Sequence, residues 1–314
     1  MHKKNVLISG GGGSPFPYIF DALGDKYNLF VTDANPVIKL IYPDQRIITV
    51  PLVGEKNYSA VISLLIKKHQ IEYYIPLIDK EILKALSLAR EIPTLKVISP
   101  SLKFVQLCLN KNRLMEILSQ LGISRVDTKL ATDINRRSKC PLFLKPIMGT
   151  GSRGARKVLN YNQFEAYFVF EGYRAKDVMA QEYLTGDEYT VSVVANNLNR
   201  LMALVPKKII VKKGITQQAV TEKSEIIESA CRKIVEQLQP AGPFNVQLRI
   251  VKGEVKIFEI NPRFSTTAIL TCEAGVNEFD LCIENYNSKS VEYIDNWKQG
   301  LHLFRRWESC FYES

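Results

Sequence analysis

Short apolar runs alternate with amphipathic stretches along the first hundred residues. Each apolar run has the length of a strand, and the stretches between the runs place apolar residues at helical spacing. The predicted strands cover residues 5–9, 28–32, 46–50, 73–78 and 96–99, and the predicted helices cover 17–26, 57–69 and 80–91. This alternation is typical of a parallel, doubly wound α/β sheet, in which ligands bind beyond the carboxyl ends of the strands.

The pattern changes after Pro100. Several strands there follow one another directly, which indicates antiparallel sheets of α+β type added to the first sheet. The predicted helices cover 102–120, 161–171, 222–239, 267–274 and 277–286, and the predicted strands cover 126–131, 141–146, 154–159, 177–184, 187–195, 200–211 and a hairpin at 243–261. Residues 291–314 show no clear periodicity.

The segment FNVQLRIVKGEVKIFEINPR at 244–263 predicts a β-hairpin centred on Gly253. In that register Gln247 lies opposite Glu259, and Asn261, two residues further on, shares their face. The residues expected on the opposite, core-facing side are Val246, Leu248, Phe258 and Ile260. Magnesium favours carboxylate and amide oxygens, so the three polar residues are candidate metal ligands. The alternative is the exposed polar face of an ordinary half-solvated hairpin.

Two further segments carry candidate chemistry. The first is residues 143–158, with the sequence FLKPIMGTGSRGARKV, which predicts a strand ending near Lys145 and then a glycine-rich loop whose amides could approach phosphate oxygens. The spacing of its glycines is not that of a Walker phosphate-binding loop, and the alternative interpretation is a flexible hairpin turn. VMAQEYLTGDEYTVSVV at 178–194 predicts two strands joined by a hinge at Thr185–Gly186. Backbone amides at such a hinge could bind an adenine edge, and the Glu188 carboxylate could accept hydrogen bonds from both ribose hydroxyls.

The order of these segments resembles the ATP-grasp fold. Lys-Pro and a glycine loop come first, followed by QEYLTGDE, then NVQ, then EINPR. The stretch EINPRFSTTAILTCEAG is similar to the signature of the carbamoyl-phosphate synthetase large subunit and its single-module relatives, and the resemblance covers residues 100–285. It implies a pre-ATP-grasp domain at 1–100, a small subdomain with the glycine loop at 101–185, and a subdomain with the metal site at 186–314.

The resemblance also implies roles for individual residues. The candidate ATP-binding residues are Lys111, Lys145, Gly149, Gly151, Ser152, Gly154, Gln181, Glu182, Tyr183, Leu184 and Glu188. Gln247, Glu259 and Asn261 match the family's magnesium ligands, and Mn2+ is a candidate substitute. Arg263 and Lys145 match residues that stabilise the transferring phosphoryl group. The implied activity is an ADP-forming ligase that converts a carboxylate to an acyl-phosphate for attack by an amine.

A second glycine-rich turn, Gly10 to Gly13, follows the first predicted strand. Pro15 occupies the third glycine position of a dinucleotide fingerprint, so a nicotinamide-dependent oxidoreductase is only a distant alternative. In several ATP-grasp proteins a similar turn helps to bind the acceptor. The candidate substrate-binding residues are therefore Gly11, Gly12, Ser14, Lys208, Arg263 and Ser265, with Lys207 beside them in a basic segment that is alternatively a solvated strand.

The net charge, the length of the apolar runs and the spacing of the cysteines limit the classes of function that the chain could have. The net charge of +10 is spread along the chain without a basic run carrying interleaved aromatics, which favours anionic small molecules over nucleic acid. Apolar runs stay shorter than the ~18 residues of a membrane span. The six cysteines, Cys108, Cys140, Cys231, Cys272, Cys282 and Cys310, have no metal-site spacing and are expected to be reduced thiols of a cytoplasmic protein. A homodimer, a module phosphorylating bicarbonate or carbamate, and a non-catalytic nucleotide-binding partner also fit the sequence.

Overall fold

A computed structural model describes residues 3–13, 15–41, 46–149, 151, 153–306, 309 and 311. The predicted site residues Ser14 and Ser152, and also Cys310, lie outside the described residues. Within these ranges, no helix is both long enough and apolar enough to cross a bilayer.

The N-terminal part is the predicted parallel, doubly wound sheet. Its elements are β1 (Asn5–Ser9), α1 (Phe16–Gly24), β2 (Asn28–Asp33), α2 (Ile38–Ile41), β3 (Ile47–Thr49), α3 (Tyr58–Lys68), β4 (Tyr73–Ile75), α4 (Asp79–Glu91) and β5 (Lys96–Val97). The strand order is β3-β2-β1-β4-β5, and every pair is parallel. Only the short helix α2 was not predicted. The carboxyl ends of β1, β2 and β4 therefore share one edge, where the glycine turn after β1 also lies.

The middle part contains a four-stranded antiparallel sheet. Its elements are α5 (Leu102–Leu109), α6 (Lys111–Gln120), β6 (Thr128–Leu130), β7 (Leu142–Pro146), β8 (Arg156–Val158), α7 (Tyr161–Glu171) and β9 (Val178–Glu182), with strand order β6-β9-β7-β8. One apolar cluster joins α7 to this sheet through residues such as Phe164 and Leu144.

The helix predicted at 102–120 is in fact two helices. Asn110 leaves helical geometry at φ −97°, ψ 90°, and its side-chain oxygen accepts a hydrogen bond from the Arg113 amide at 3.0 Å, as an N-cap does. The Lys111 amide donates to the Ile147 carbonyl at 3.2 Å. This break places Lys111 on the first turn of α6, next to the loop that follows β7.

The C-terminal part is built on a six-stranded antiparallel sheet. Its elements are β10 (Asp187–Ala195), β11 (Leu201–Lys213), β12 (Ile215–Thr221), α8 (Glu225–Leu238), β13 (Phe244–Val251), β14 (Glu254–Asn261), α9 (Ala268–Glu273), α10 (Glu278–Glu284) and β15 (His302–Phe304). The strand order is β14-β13-β10-β11-β12-β15. Neither β12 nor β15 was predicted. The division of the chain into three domains stays a prediction.

The two faces of this six-stranded sheet are covered differently. On one face, α5, α6 and α8 pack on a continuous core; representative members are Phe104, Leu114, Ile234, Val246 and Leu248. On the other face, α9 and α10 join the sheet to the N-terminal sheet through an apolar cluster that includes Val205, Phe279 and Val6. That cluster covers only part of the second face. The rest of it carries polar side chains and faces the four-stranded sheet.

The β13–β14 hairpin has the predicted pairing at the site and a different one at its turn. Gln247 lies opposite Glu259 as expected, whereas beyond it Leu248 pairs with Ile257. A two-residue turn at Lys252 and Gly253, with φ of +51° and +81°, sets the outer register, and a β-bulge then shifts it by one residue. Phe258 lies at the bulge, where it packs against the core as predicted and also lines the cleft described below.

Candidate active site

A cleft of about 160 Å3 lies between the four-stranded and six-stranded sheets. It brings together most of the residues predicted for nucleotide and metal binding: Lys111, Lys145, Gly149, Gly151, Gln181, Glu182, Tyr183, Leu184, Glu188, Gln247 and Glu259. These residues come from β7, β9, β10, β13, β14, α6, the loop after β7 and the segment between β9 and β10. Three predicted residues, Gly154, Asn261 and Arg263, are placed beside the described lining instead of in it.

Lys145 and Glu259 form the charged centre of the cleft. Lys145 is buried near the end of β7, and its Nζ donates to the Phe258 carbonyl at 3.0 Å and lies 3.9 Å from Glu259 Oε2. Burial lowers the pKa of Lys145 to about 8; Glu259 opposes this shift, and the ammonium groups of Lys111 and Lys212 add to it. A buried ammonium at a cleft wall is suited to binding an anion, because the anion would restore the charge balance that burial disfavours.

The candidate metal ligands lie on adjacent strands of the same face. Gln247 and Glu259 are directly opposed and both line the cleft. Asn261 is buried two residues beyond Glu259, opposite Asn245, whose side-chain oxygen accepts a hydrogen bond from Thr190 at 2.6 Å. One carboxylate with neighbouring amide oxygens is a donor set of the hard, oxygen-only kind that Mg2+ takes, so these residues fit the ion.

Glu188 has two cationic partners that sequence reasoning did not assign to the site. Lys212 Nζ lies 2.7 Å from Glu188 Oε1, and the Arg249 guanidinium is hydrogen-bonded to Glu188 Oε2. Arg249 could have been found, because it is two residues from Gln247 on one strand and so shares its face. Lys212 could not, because the sequence predicted that β11 ends at residue 211.

Gly149 and Gly151 of the glycine loop after β7 line the cleft. Gly149 and Gly151 have φ of +152° and +68°, backbone geometry that glycine adopts without a Cβ penalty. Lys111 Nζ donates to the Gly149 carbonyl at 2.5 Å, which ties the loop to α6. Gly154, at φ +71°, is packed against Tyr173, where a Cβ would lie 2.6 Å from the ring, so its role is to pass the chain close to that side chain.

Arg263 is held by an ion pair with the N-terminal part of the chain. Its Nε donates to Asp79 Oδ1 at 2.7 Å, and its Nη2 lies 3.4 Å from Asp79 Oδ2. Asp79 is buried at the first residue of α4, after the Ile78 side chain against which Gly10 packs. The ion pair therefore connects the turn after β14 to the edge of the parallel sheet that carries the first glycine turn.

The remaining candidate substrate residues already have partners within the protein. The Gly12 amide donates to Asp33 at 2.8 Å, and a Cβ on Gly11 would lie 2.5 Å from Val31. Ser265 is buried and shares a hydrogen bond with the Thr267 hydroxyl at 2.8 Å. Lys208 pairs with Asp187 at 2.7 Å on the face opposite Glu188 and Gln247, and this placement does not support a role in substrate binding.

Lys207 is not part of a solvated basic strand. It is fully buried, and its Nζ donates to the hydroxyls of Ser192 and Thr271, each at 2.7 Å. Ser192 in turn donates to the buried Glu278 at 3.0 Å. Burial lowers the pKa of Lys207 to about 8 and raises the pKa of Glu278, and each opposite charge moderates the other's shift.

Glu278→Gln is expected to destabilise the protein by about 3–5 kcal/mol near neutral pH, because it leaves the Lys207 charge buried without its anion. The pKa of Lys207 lies below its usual 10.5, so the cost of its charged form is complete below about pH 8 and disappears as the pH rises toward 10.5. Urea denaturation should therefore show a smaller difference from wild type at about pH 9 than at about pH 7. The exposed Glu292→Gln is the control, and an equal difference at both pH values would contradict the assignment.

The sequence of this chain is similar to that of one protein family and to several known enzymes. A family model described as "ATP-grasp in the biosynthetic pathway with Ter operon" matches residues 174–306, which contain the hinge, Gln247, Glu259 and Arg263. A formate-dependent phosphoribosylglycinamide formyltransferase of Prochlorococcus marinus is 23% identical, over 93% of this chain and 78% of that protein. A carbamoyl phosphate synthase large chain of Caldanaerobacter subterraneus is 23% identical over 66% of this chain and 21% of that protein.

Solved structures share the fold over most of this chain. An L-amino acid ligase from Bacillus licheniformis has a TM-score of 0.72 at 18% identity, covering 91% of this chain and 74% of that one. The biotin carboxylase domain of Hydrogenobacter thermophilus 2-oxoglutarate carboxylase, solved as a dimer with MgADP, ADP and bicarbonate, has a TM-score of 0.72 at 14% identity, covering 96% and 74%. The family match over residues 174–306 and the likeness to these structures show that the chain has the ATP-grasp fold.

Proposed function

We propose that the chain is an ATP- and Mg2+-dependent ligase that activates a carboxylate as an acyl-phosphate, which an amine then attacks to give an amide, ADP and phosphate. The observation that carries the proposal is the convergence of a buried lysine, a carboxylate and an opposed amide, Lys145, Glu259 and Gln247, at one wall of the cleft. Five cationic side chains and three carboxylates line that cleft, which favours a polyanionic ligand.

The nucleotide would lie along this cleft. The strand end at Gln181–Leu184 would hold the adenine, Glu188 the ribose, and Lys145 with Lys111 and the glycine loop the phosphates. Gln247 and Glu259, with Asn261 beside them, would hold Mg2+, and the ion would neutralise charge on the phosphates; Mn2+ is expected to substitute for it. Such an arrangement acts by positioning and electrostatics, so the reaction needs no nucleophile from the protein.

The proposed reaction has two chemical steps. A carboxylate oxygen attacks the γ-phosphorus, the bond to the bridging oxygen breaks, and ADP leaves. The amine nitrogen then attacks the acyl carbon, inorganic phosphate leaves, and the nitrogen loses a proton. Lys145 and Arg263 would stabilise the charge on the transferring group, and closure of the glycine loop would keep water from the acyl-phosphate.

The test is a screen of ADP release with paired amino acids, small carboxylates and amines, with bicarbonate as one of the carboxylates. We expect ADP formation that requires Mg2+, a carboxylate and an amine, with the amide detected by mass spectrometry. ADP formation with bicarbonate alone would favour carbamate or carboxyphosphate chemistry, as in the carbamoyl phosphate synthase relative. Failure of the protein to bind ATP in calorimetry, or binding of nicotinamide cofactors in its place, would refute the proposal.

The proposal also includes the cellular compartment and the oligomeric state of the enzyme. The described cysteines are free thiols, which supports a reducing compartment such as the cytoplasm. A homodimer is also proposed, with the dimeric biotin carboxylase domain as its support. Analytical ultracentrifugation of the purified chain would test whether it is a homodimer.

A further inference from the structure

The turn that carries Arg263 is held at two points by distant parts of the chain. It covers residues 262–267, between β14 and α9. Near its start, Arg263 forms the ion pair with Asp79 of α4 at 2.7 Å. Near its end, the Thr266 carbonyl accepts a hydrogen bond from the Arg305 guanidinium. The turn therefore takes its position from the N-terminal part of the chain at one end and from the segment after β15 at the other.

Arg305 is itself fixed on β12. Its backbone amide donates to the Gln217 carbonyl, and its Nε donates to the Thr216 carbonyl, each at 3.0 Å. The hydrogen bond to the Thr266 carbonyl comes from Nη2 of the same guanidinium. Because the guanidinium is planar and rigid, the contacts of the backbone and of Nε set the direction in which Nη2 points. Arg305 therefore bridges β12 and the turn.

Arg305 faces inward in a segment whose exposure alternates. Phe304 and Arg306 are exposed, whereas Leu303 and Arg305 are partly buried. Burial lowers the pKa of Arg305, because the charged guanidinium loses part of its hydration. Carbonyl oxygens of β12 and of the turn replace part of that water. Arg306 has the same charge one residue away and is exposed, so it offers a matched comparison.

The backbone of the turn decides where the Arg263 side chain lies. The Arg263 amide donates to the Asn261 carbonyl at 2.8 Å, and its Nη1 donates to the Phe264 carbonyl at 3.0 Å. A shift of the backbone between Phe264 and Thr266 would therefore move the guanidinium as well. In a reaction that depends on positioning, a displacement of about 1 Å is enough to cost about a hundredfold in rate.

The contact between Arg305 and Thr266 also joins the two edges of the six-stranded sheet. Strand β14, which carries Glu259, forms one edge, and β15 forms the other. The turn leaves the end of β14 and meets Arg305 directly after β15. The short edge strand β15 thus has a structural connection to the residues proposed for catalysis.

On the basis of the proposed function, we propose that Arg305 is a positioning residue for the reaction. By binding the Thr266 carbonyl, it holds the turn at 262–267 in place and keeps the Arg263 guanidinium directed at the transferring phosphoryl group. Arg305 itself contacts neither substrate. Its effect on the reaction therefore passes entirely through Arg263.

The first experiment compares steady-state ADP release by wild type, Arg305→Met, Arg305→Lys and Arg306→Met, with calorimetry of ADP binding. In Arg305→Met we expect kcat to fall by roughly ten- to a hundredfold, because Arg263 is misplaced. ADP affinity should stay unchanged, because the proposed nucleotide-binding residues lie on other elements. Arg305→Lys should recover part of kcat, since an ammonium can still donate to a carbonyl, and Arg306→Met should match wild type.

Two further measurements isolate the path of the effect. The double variant Arg263→Met with Arg305→Met should be no slower than Arg263→Met alone, because Arg305 acts only through Arg263. Hydrogen–deuterium exchange of peptides covering residues 262–273 should be faster in Arg305→Met than in wild type, and unchanged in Arg306→Met. The exchange measurement needs no turnover.

The outcomes separate the two proposals. If wild type neither binds ATP nor releases ADP with any substrate pair, the proposed function fails, and the exchange rates still decide whether Arg305 fixes the turn. Wild-type kcat in Arg305→Met, or a loss of ADP affinity at unchanged kcat, would overturn the inference. Multiplying losses in the double variant, or unchanged exchange at 262–273, would overturn it too. If circular dichroism shows that Arg305→Met is unfolded, Arg305→Lys carries the same comparisons.

Discussion

Glu259→Ala should lower Mg2+-dependent ATP turnover by more than about a hundredfold while leaving the fold intact. The side chain supplies the one carboxylate opposite Gln247, and without it the proposed metal site retains only neutral amides. It is also the carboxylate 3.9 Å from the buried Lys145 ammonium, so its loss removes a charge that raises the pKa of this lysine. ADP release at saturating Mg2+ and ATP measures the effect.

The matched control lies on the same strand. Glu254→Ala removes an exposed carboxylate at the outer end of β14, where it pairs with Lys256, and should leave turnover unchanged. Glu259→Gln keeps the size of the side chain and should be nearly as inactive as Glu259→Ala. Wild-type ADP release by Glu259→Ala would refute the metal assignment, and equal losses in Glu254→Ala would show that the hairpin as a whole, and not one ligand, had been disturbed.

Arg263→Met is expected to have two separable effects. Turnover should fall by about a hundred- to a thousandfold, because the cation proposed to stabilise the transferring phosphoryl group is lost. Stability should fall by about 3–5 kcal/mol, because Asp79, which is 6% exposed, would remain buried without its partner. Urea denaturation and ADP release measure the two effects independently.

The double variant Arg263→Met with Asp79→Asn distinguishes catalysis from packing. The neutral asparagine removes the buried charge, so most of the lost stability should return, whereas turnover should stay low. Recovery of turnover together with stability would mean that Arg263 acts only as a link between the C-terminal part and the N-terminal sheet. Loss of turnover without any loss of stability would contradict the buried ion pair.

Features encoded over short stretches of chain could be predicted from the sequence. The alternation of strands and helices in residues 1–100 follows from apolar periodicity, and the doubly wound sheet follows from that alternation. The pairing of Gln247 with Glu259 follows from a glycine turn between two alternating runs, although the bulge that produces it was not foreseen. The order of the four motifs resembles that of one family, and this resemblance predicted that one cleft would bring together Lys145, the glycine loop, the hinge and Glu188.

Contacts between segments far apart in the chain were decided only by the tertiary structure. Arg263 meets Asp79, Lys207 meets Thr271, and Lys212 meets Glu188 across 184, 64 and 24 residues respectively. No periodicity in the sequence records such partners, because a charged side chain satisfies the same local pattern whether it is solvated or buried in an ion pair. The sequence by itself thus determined which residues are the candidates for binding phosphate and metal. The packing of the sheets determined which charges oppose one another, since desolvation and distance depend on where distant strands meet.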